Sequence, residues 1–549
     1  MARLSFRNPG FMASPDLQPS QITPLNYCTS AKGVFDDTTP QQMQDAMAEY
    51  TKVSHDKTLA LFFHGGLVDK ASGMTNAQQL FAPYSLASDP SENAGNAYPY
   101  FFIWESGLLE TLQHNLPEIV SETIFQRLRD IIGAKAQTVL GAPAQAPAQA
   151  MALRAPTLTA NIPANAARAL SPQDISDVEE AVESDPIINA EKRRIAQSAR
   201  PAATALAEAA GTTPRQIVTS PSTLLSPEIV GAIVAEEAHK DAVTPQGATE
   251  LISPLSFGTL ALAAGSVLMR IVQRYATGRN HNFHNTVVEE IFRQYYIANV
   301  GWAIWNEMKV ETAEAFQGDA DHNVGTAMVA QLIHFYETGP DPKQARITLL
   351  GHSTGAVYIC NFLAAVDQAL ASKEYASQIK FDVIFMAPAV RVDLFAATLA
   401  GHGHLIRNFR AFEMGDDLEA AEILLQLDGV SPAVNELLAQ VYTSSLLYFI
   451  SGVLEDPDDD TPIDGMQRFF TRNGAFVPAA FADIDAIWNF YGSRPNAVIA
   501  SDTRALNPQP PLGQRCTSHH HGGFPSDNAA GTPGGTLQSV CYLLRTGLY

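Results

Sequence analysis

Short runs of unbroken apolar residues, each stopped by glycine, proline or a charge, set the rhythm of this chain. The first is TLALFF, Thr58 to Phe63, which ends at His64, Gly65 and Gly66. YPYFFIW follows at Tyr98 to Trp104, then ITLL at Ile347 to Leu350 and FDVIFMAP at Phe381 to Pro388. NFRAFEM runs into Asp416 and Asp417, and NAVIASD occupies Asn496 to Asp502. Runs this short, continuous and rich in aromatic and β-branched residues predict strands, several of them buried on both faces. Helical stretches separate most of them. The alternation predicts an α/β fold, with a mostly parallel sheet flanked by helices.

One interval breaks the rhythm. Residues 107–344 hold no convincing strand, and their centre is rich in Ala, Pro, Thr and Gln. Segments such as SPQDISDVEEAVESD carry Ser/Asp helix starts. The reading is a mainly helical insertion before the ITLL strand, a candidate lid, set into a core formed by 51–106 and 345–549. Residues 1–50 read as an irregular N-terminal segment. Leu251 to Met269 has no charge over 19 residues but contains Pro, Gly, Ser and Thr. A membrane-spanning helix needs about 20 predominantly apolar residues, so a buried or lid helix is expected there and not a span.

Composition narrows the classes. In 549 residues, 46% are hydrophobic, enough for a large core. Lys plus Arg is 35 and Asp plus Glu 57, a net charge of −22. That balance repels nucleic acid and anionic lipid, so nucleic-acid binding is set aside. Four cysteines, Cys28, Cys360, Cys516 and Cys541, form no CxxC and no disulfide framework, with one Cys516–Cys541 bridge left open. No apolar run follows the N-terminal arginines, so the expected location is cytoplasmic.

The chemistry gathers at ITLLGHSTGAVYICNFL. A serine hydroxyl is a weak nucleophile that needs a base and access to a carbonyl carbon. A tight strand-to-helix turn provides the access and crowds its neighbours, so small residues are required on either side. Ser353 stands between Gly351 and Gly355, after an apolar strand and before a helix. The bare pattern arises about 0.2 times by chance in a chain of this size; the other parts, present in order, give it weight. FFHGGL offers an oxyanion loop, with amide donors expected from Gly66 or Leu67 and from Thr354. Asp416 is the expected acid, with Asp417 next and Glu413 and Glu455 behind. His521 is the expected base, before His520 and His519. Three consecutive histidines cannot all face one ion, so a metal cluster is disfavoured; His281, His284, Glu236 and His239 lack a second ligand set. His352 is read as packing at the turn.

Together, FFHGGL, GHSTGA, EMGDD and HHHGGF resemble the α/β-hydrolase superfamily of serine hydrolases. FFIWESG, AIWNEMK, SLLYFISGVLE and GMQRFF look like those of a little-characterised bacterial group within it. The resemblance covers residues ~55 to 110 and ~300 to 549. It implies the α/β-hydrolase fold and a Ser353–His521–Asp416 triad cleaving a carboxylic ester through an acyl-enzyme, with no metal or organic cofactor. The substrate would be a small-molecule or lipid ester. Two alternatives stand beside this: a lipase or phospholipase at a lipid surface, and a non-catalytic binding protein on a hydrolase fold.

Overall fold

Strands and helices do alternate, and the strands form one eight-stranded sheet. In the computed structural model, the described residues are 22–66, 68–85, 95–104, 108–141, 169–210, 223–242, 258–280, 282–296, 301–340, 342, 344–422, 442–456, 460–470, 482–501, 510–525, 535–547 and 549. The strands are β1 (Tyr27–Ala31), β2 (Val34–Phe35), β3 (Thr58–Phe63), β4 (Ala97–Trp104), β5 (Ile347–His352), β6 (Phe381–Met386), β7 (Ile406–Met414) and β8 (Val498–Ser501). Their order is β2-β1-β4-β3-β5-β6-β7-β8. Only the β1–β2 pair is antiparallel. β3, β5 and β6 are buried at every position, which is why they read as continuous apolar runs and not as alternating ones.

Helices cover both faces. Around the sheet lie α1 (Pro40–Val53) and α2 (Lys70–Ser85); the long interval after β4 supplies α3 (Leu108–Ser121), α4 (Thr123–Val139), α5 (Pro172–Ser184), α6 (Pro186–Ala210), α7 (Pro227–Ala242), α8 (Thr259–Ala276), α9 (Phe283–Ile291) and α10 (Trp302–Glu314). Then come α11 (Val324–Thr338), α12 (Gly355–Leu370), α13 (Val392–His402), α14 (Ala482–Gly492) and α15 (Gly535–Thr546). Leu80 of α2 and Leu537 and Val540 of α15 pack on one face with Phe62, Ile384 and Met414. The other face carries α1, α11, α12, α13 and α14. The insertion helices share that second core, and α10 joins them to α12 on the sheet.

The N-terminal reading needs correction. Within residues 1–50 the structure has β1, β2 and most of α1. β1 was hidden because YCTSA is short and mostly small or polar; Thr29 and Thr38 satisfy each other beside it. α1 carries a capping box between Thr39 and Gln42 and buries Met43, Ala46, Met47 and Tyr50 on one stripe.

A buried ionic cluster ties the insertion to the chain after β7. Arg274 Nη1 lies 2.7 Å from Glu289 and 3.1 Å from Glu290, and Arg293 Nη2 lies 2.8 Å from Asp460. Removing one member would strand a charge in the interior. The uncharged stretch at 251–269 begins outside the described residues; its remainder opens α8, with Leu260, Ala264, Val267 and Leu268 buried and Leu262 and Met269 exposed. Among the described residues, no helix is long and apolar enough to cross a membrane. All four cysteines are free thiols.

The order β4-β3-β5 places the reversal of strand succession between β3 and β5. In an open parallel sheet, ligands bind beyond the carboxyl ends of the strands at such a point. FFHGGL leaves β3 there, and GHSTGA leaves β5 beside it.

Candidate active site

The turn after β5 is strained and pinned. Ser353 has φ +54°, a left-handed conformation that a residue with a side chain rarely adopts. Its N–H donates to Met386 O at 2.9 Å, and its carbonyl accepts from Ala389 N–H at 3.0 Å. The end of β6 therefore holds both sides of the peptide. Glycine is required at the flanks: a Cβ on Gly351 would sit 2.8 Å from the Gly355 carbonyl carbon, and one on Gly355 would overlap the Phe63 carbonyl oxygen.

Of the three adjacent histidines, His519 and His520 are exposed and His521 is buried. His521 Nε2 lies 2.9 Å from Ser353 Oγ. With the hydroxyl donating, Nε2 accepts and the ring proton belongs on Nδ1. Burial first, then the neighbouring His352, holds the imidazole well below its usual pKa, so it is neutral and able to take a proton.

Two further histidines build the frame. His352 Nε2 donates to the His521 carbonyl at 2.9 Å, which anchors His521 to the Ser353 turn. His64 donates from Nδ1 to Gly65 O at 2.7 Å and accepts the Trp104 N–H on Nε2 at 3.1 Å. Burial pushes both rings down to about 4, so both stay neutral. His64 thereby fixes the glycine loop over the serine: a Cβ on Gly65 would lie 2.8 Å from Ser353 Cβ. A Cβ on Gly66 would lie 2.9 Å from Thr354 Oγ1 and overlap Met308 Sδ of α10. The Thr354 amide makes no hydrogen bond among the described residues. Leu67 lies outside the described residues.

The expected acid is not on the base. Asp416 Oδ1 accepts the Tyr448 hydroxyl at 2.6 Å, and its amide is capped by Gln467 Oε1 at 2.9 Å. Tyr448 is buried and its phenol needs a partner; Asp416 supplies it. Asp417 is exposed. Glu455 pairs with Lys309 at 2.5 Å. Glu413 is buried, and burial, then Asp464 and Glu419, push its carboxyl well above the usual range. His521 Nδ1 is buried and has no hydrogen-bond partner among the described residues.

The carboxylate that does touch His521 is Glu422, which is not among the acids expected from the sequence. Its Oε1 accepts the His521 main-chain N–H at 2.8 Å. Nothing local marks it; the contact joins residues 99 apart.

His281 and the side chain of His239 lie outside the described residues. Glu236 pairs with Lys192. Among the described residues, no group of three or more His, Cys, Asp or Glu is arranged to hold a metal ion. Comparison with protein-family models, with curated proteins and with solved structures finds no match to this chain.

Proposed function

We propose that the chain is a serine carboxylic-ester hydrolase of the α/β-hydrolase kind, working through an acyl-enzyme. The observation that carries this is Ser353 Oγ, held in a left-handed turn, 2.9 Å from the Nε2 of a neutral, buried His521. Ser353 Oγ attacks the ester carbonyl as its proton passes to His521 Nε2. The oxyanion is held by the Thr354 amide and by the Gly66–Leu67 stretch. The carbon–oxygen bond to the alcohol breaks, and the alcohol leaves with the proton from His521. Water then enters, gives its proton to His521 and cleaves the acyl-serine, releasing the acid and restoring the hydroxyl. The chemistry calls for no metal or organic cofactor.

Ser353 is 2% exposed and His521 4%. Met308 brings α10 against the glycine loop. In this reading the insertion is the lid, and its movement admits substrate. Exposed Leu262 and Met269 on α8 favour a second reading, in which the lid meets a lipid surface.

A fluorophosphonate probe should label the protein at Ser353, located by peptide mapping, and p-nitrophenyl esters should be turned over. A preference for short acyl chains supports the esterase; a rise on micellar long-chain ester supports the lipid-surface reading. Neither label nor turnover would discard the hydrolase reading and favour a binding protein.

Since His352 anchors the His521 carbonyl, His352→Phe keeps a ring and removes the donor. We expect kcat to fall by about tenfold to a hundredfold with KM little changed, because loosening the base misplaces it by a fraction of an ångström. Michaelis–Menten kinetics would check it.

A further inference from the structure

Among the described residues, two buried polar atoms on residues in contact lack partners, and they are complementary. His521 Nδ1 carries the ring proton and donates it to nothing among the described residues. Glu422 Oε2 is shielded from solvent and accepts from nothing among the described residues. The residues are already joined, since Glu422 Oε1 accepts the His521 main-chain N–H at 2.8 Å. A buried donor and a buried acceptor left unmade are each costly. A turn of the Glu422 side chain about its contact with the His521 N–H would bring its carboxylate to Nδ1 and leave the Nε2–Ser353 contact in place.

We propose that Glu422 is the carboxylate that orients His521 and compensates the imidazolium formed during turnover, the role the sequence reserved for Asp416. The proposal rests on the hydrolase reading of Ser353. Glu422 is a positioning residue: it acts through His521 and does not touch substrate.

Other carboxylates near the site make no hydrogen bond to His521 among the described residues, although Glu413 Oε1 and Glu419 Oε1 are also buried without a partner there. Asp416 holds the Tyr448 phenol, and Glu419 Oε2 takes the Ser445 hydroxyl. Glu413 faces Asp464 and Glu419. Glu419 is driven strongly toward its neutral form by burial and then by Glu422. This preference of Glu419 for the neutral form leaves Glu422 as the one of the two to ionise. Burial pushes Glu422 up to about 7, and its bond to the His521 N–H pulls the other way. The charged and titratable groups around the pair are therefore Glu419, His352 and, through Glu419, Asp416.

The sign of the pH dependence follows. The active form has ionised Glu422 and neutral His521. His521 loses its proton below the ordinary imidazole range, so the later ionisation, that of Glu422, sets the acid limb. Wild-type kcat/KM should rise with pH through about 7.

The test is Glu422→Gln, compared with Glu422→Asp and Asp416→Asn in the full chain. Glutamine keeps an oxygen for the His521 N–H, so a merely structural role survives and only the charge is lost. We expect kcat in E422Q to fall by about a hundredfold or more. Its residual kcat/KM should run flat through pH 7 and fall only where His521 protonates; E422D should restore part of the rate. Full activity in E422Q with an unchanged acid limb, or loss in D416N alone, overturns the assignment. Nitrogen-15 histidine spectra give a readout that needs no turnover. A downfield His521 Nδ1–H resonance that moves in E422Q and stays in D416N supports the pairing; one indifferent to E422Q overturns it. If the wild type takes no fluorophosphonate while that resonance still depends on Glu422, the hydrolase reading fails and the pairing stands.

Discussion

Replacing Ser353 with alanine should lower ester turnover by about 10⁴-fold or more and abolish fluorophosphonate labelling, with the fold intact. The reaction has one nucleophilic oxygen, and its base has one partner on Nε2. His521→Ala should cost a similar factor, and the double variant little more than either alone, because the two side chains act as a unit. The fold survives because the bonds that pin the turn, Ser353 N–H to Met386 O and Ala389 N–H to Ser353 O, are main-chain. The strain can be read separately. Ser353→Gly is equally inactive, but glycine accepts φ +54° without penalty. Both variants lose the hydroxyl, so their difference isolates the backbone: S353G should be more stable than S353A by about 1 kcal/mol. Parallel thermal and urea unfolding would show it. Equal stability would mean the turn relaxes once the hydroxyl is gone.

What the sequence revealed depends on how local each requirement is. β3, β5 and β6 are apolar on both faces, so any window over them reads as a strand. The Gly-x-Ser-x-Gly spelling of the turn after β5 is also local, although Met386, Ala389 and Phe63 hold that turn from distant parts of the chain. β1 was invisible because a small polar strand near the sheet edge needs no apolar run. α1 was legible in the spacing of Met43, Ala46, Met47 and Tyr50 and was lost only to the polar composition around it. The acid belongs to the other extreme. Which carboxylate docks on a histidine 99 residues away, as Glu422 does on the His521 main-chain N–H, is decided by tertiary packing. Position after β7 favoured Asp416, but a buried phenol at Tyr448 claims it. His352 was read as filling space; its hydrogen bond to the His521 carbonyl exists only when the distant loop has docked.

The second large effect concerns stability. Gly355→Ala should destabilise the protein by about 3 kcal/mol or more, although alanine is the better helix former. Helix propensity alone favours Ala over Gly by about 1 kcal/mol. At Gly355, however, the added Cβ would overlap the Phe63 carbonyl oxygen, and that oxygen cannot retreat. Phe63 lies in β3 between its parallel partners Phe102 of β4 and Gly351 of β5. Relief requires α12 to lift from the sheet, which would part Phe63 from the Tyr358 ring stacked on it at 4.7 Å. Overpacking typically costs 1–3 kcal/mol, and a clash with fixed backbone belongs at or beyond the upper end. Gly401 near the end of α13 is the control: nothing lies within 4 Å of a Cβ there. Gly401→Ala should be neutral or stabilising by up to about 1 kcal/mol. Urea unfolding of both variants would decide it. If G355A proved as stable as G401A, the close approach of α12 to β3 would not be a rigid feature of the fold, and the case for a sterically forced serine turn would lose its support.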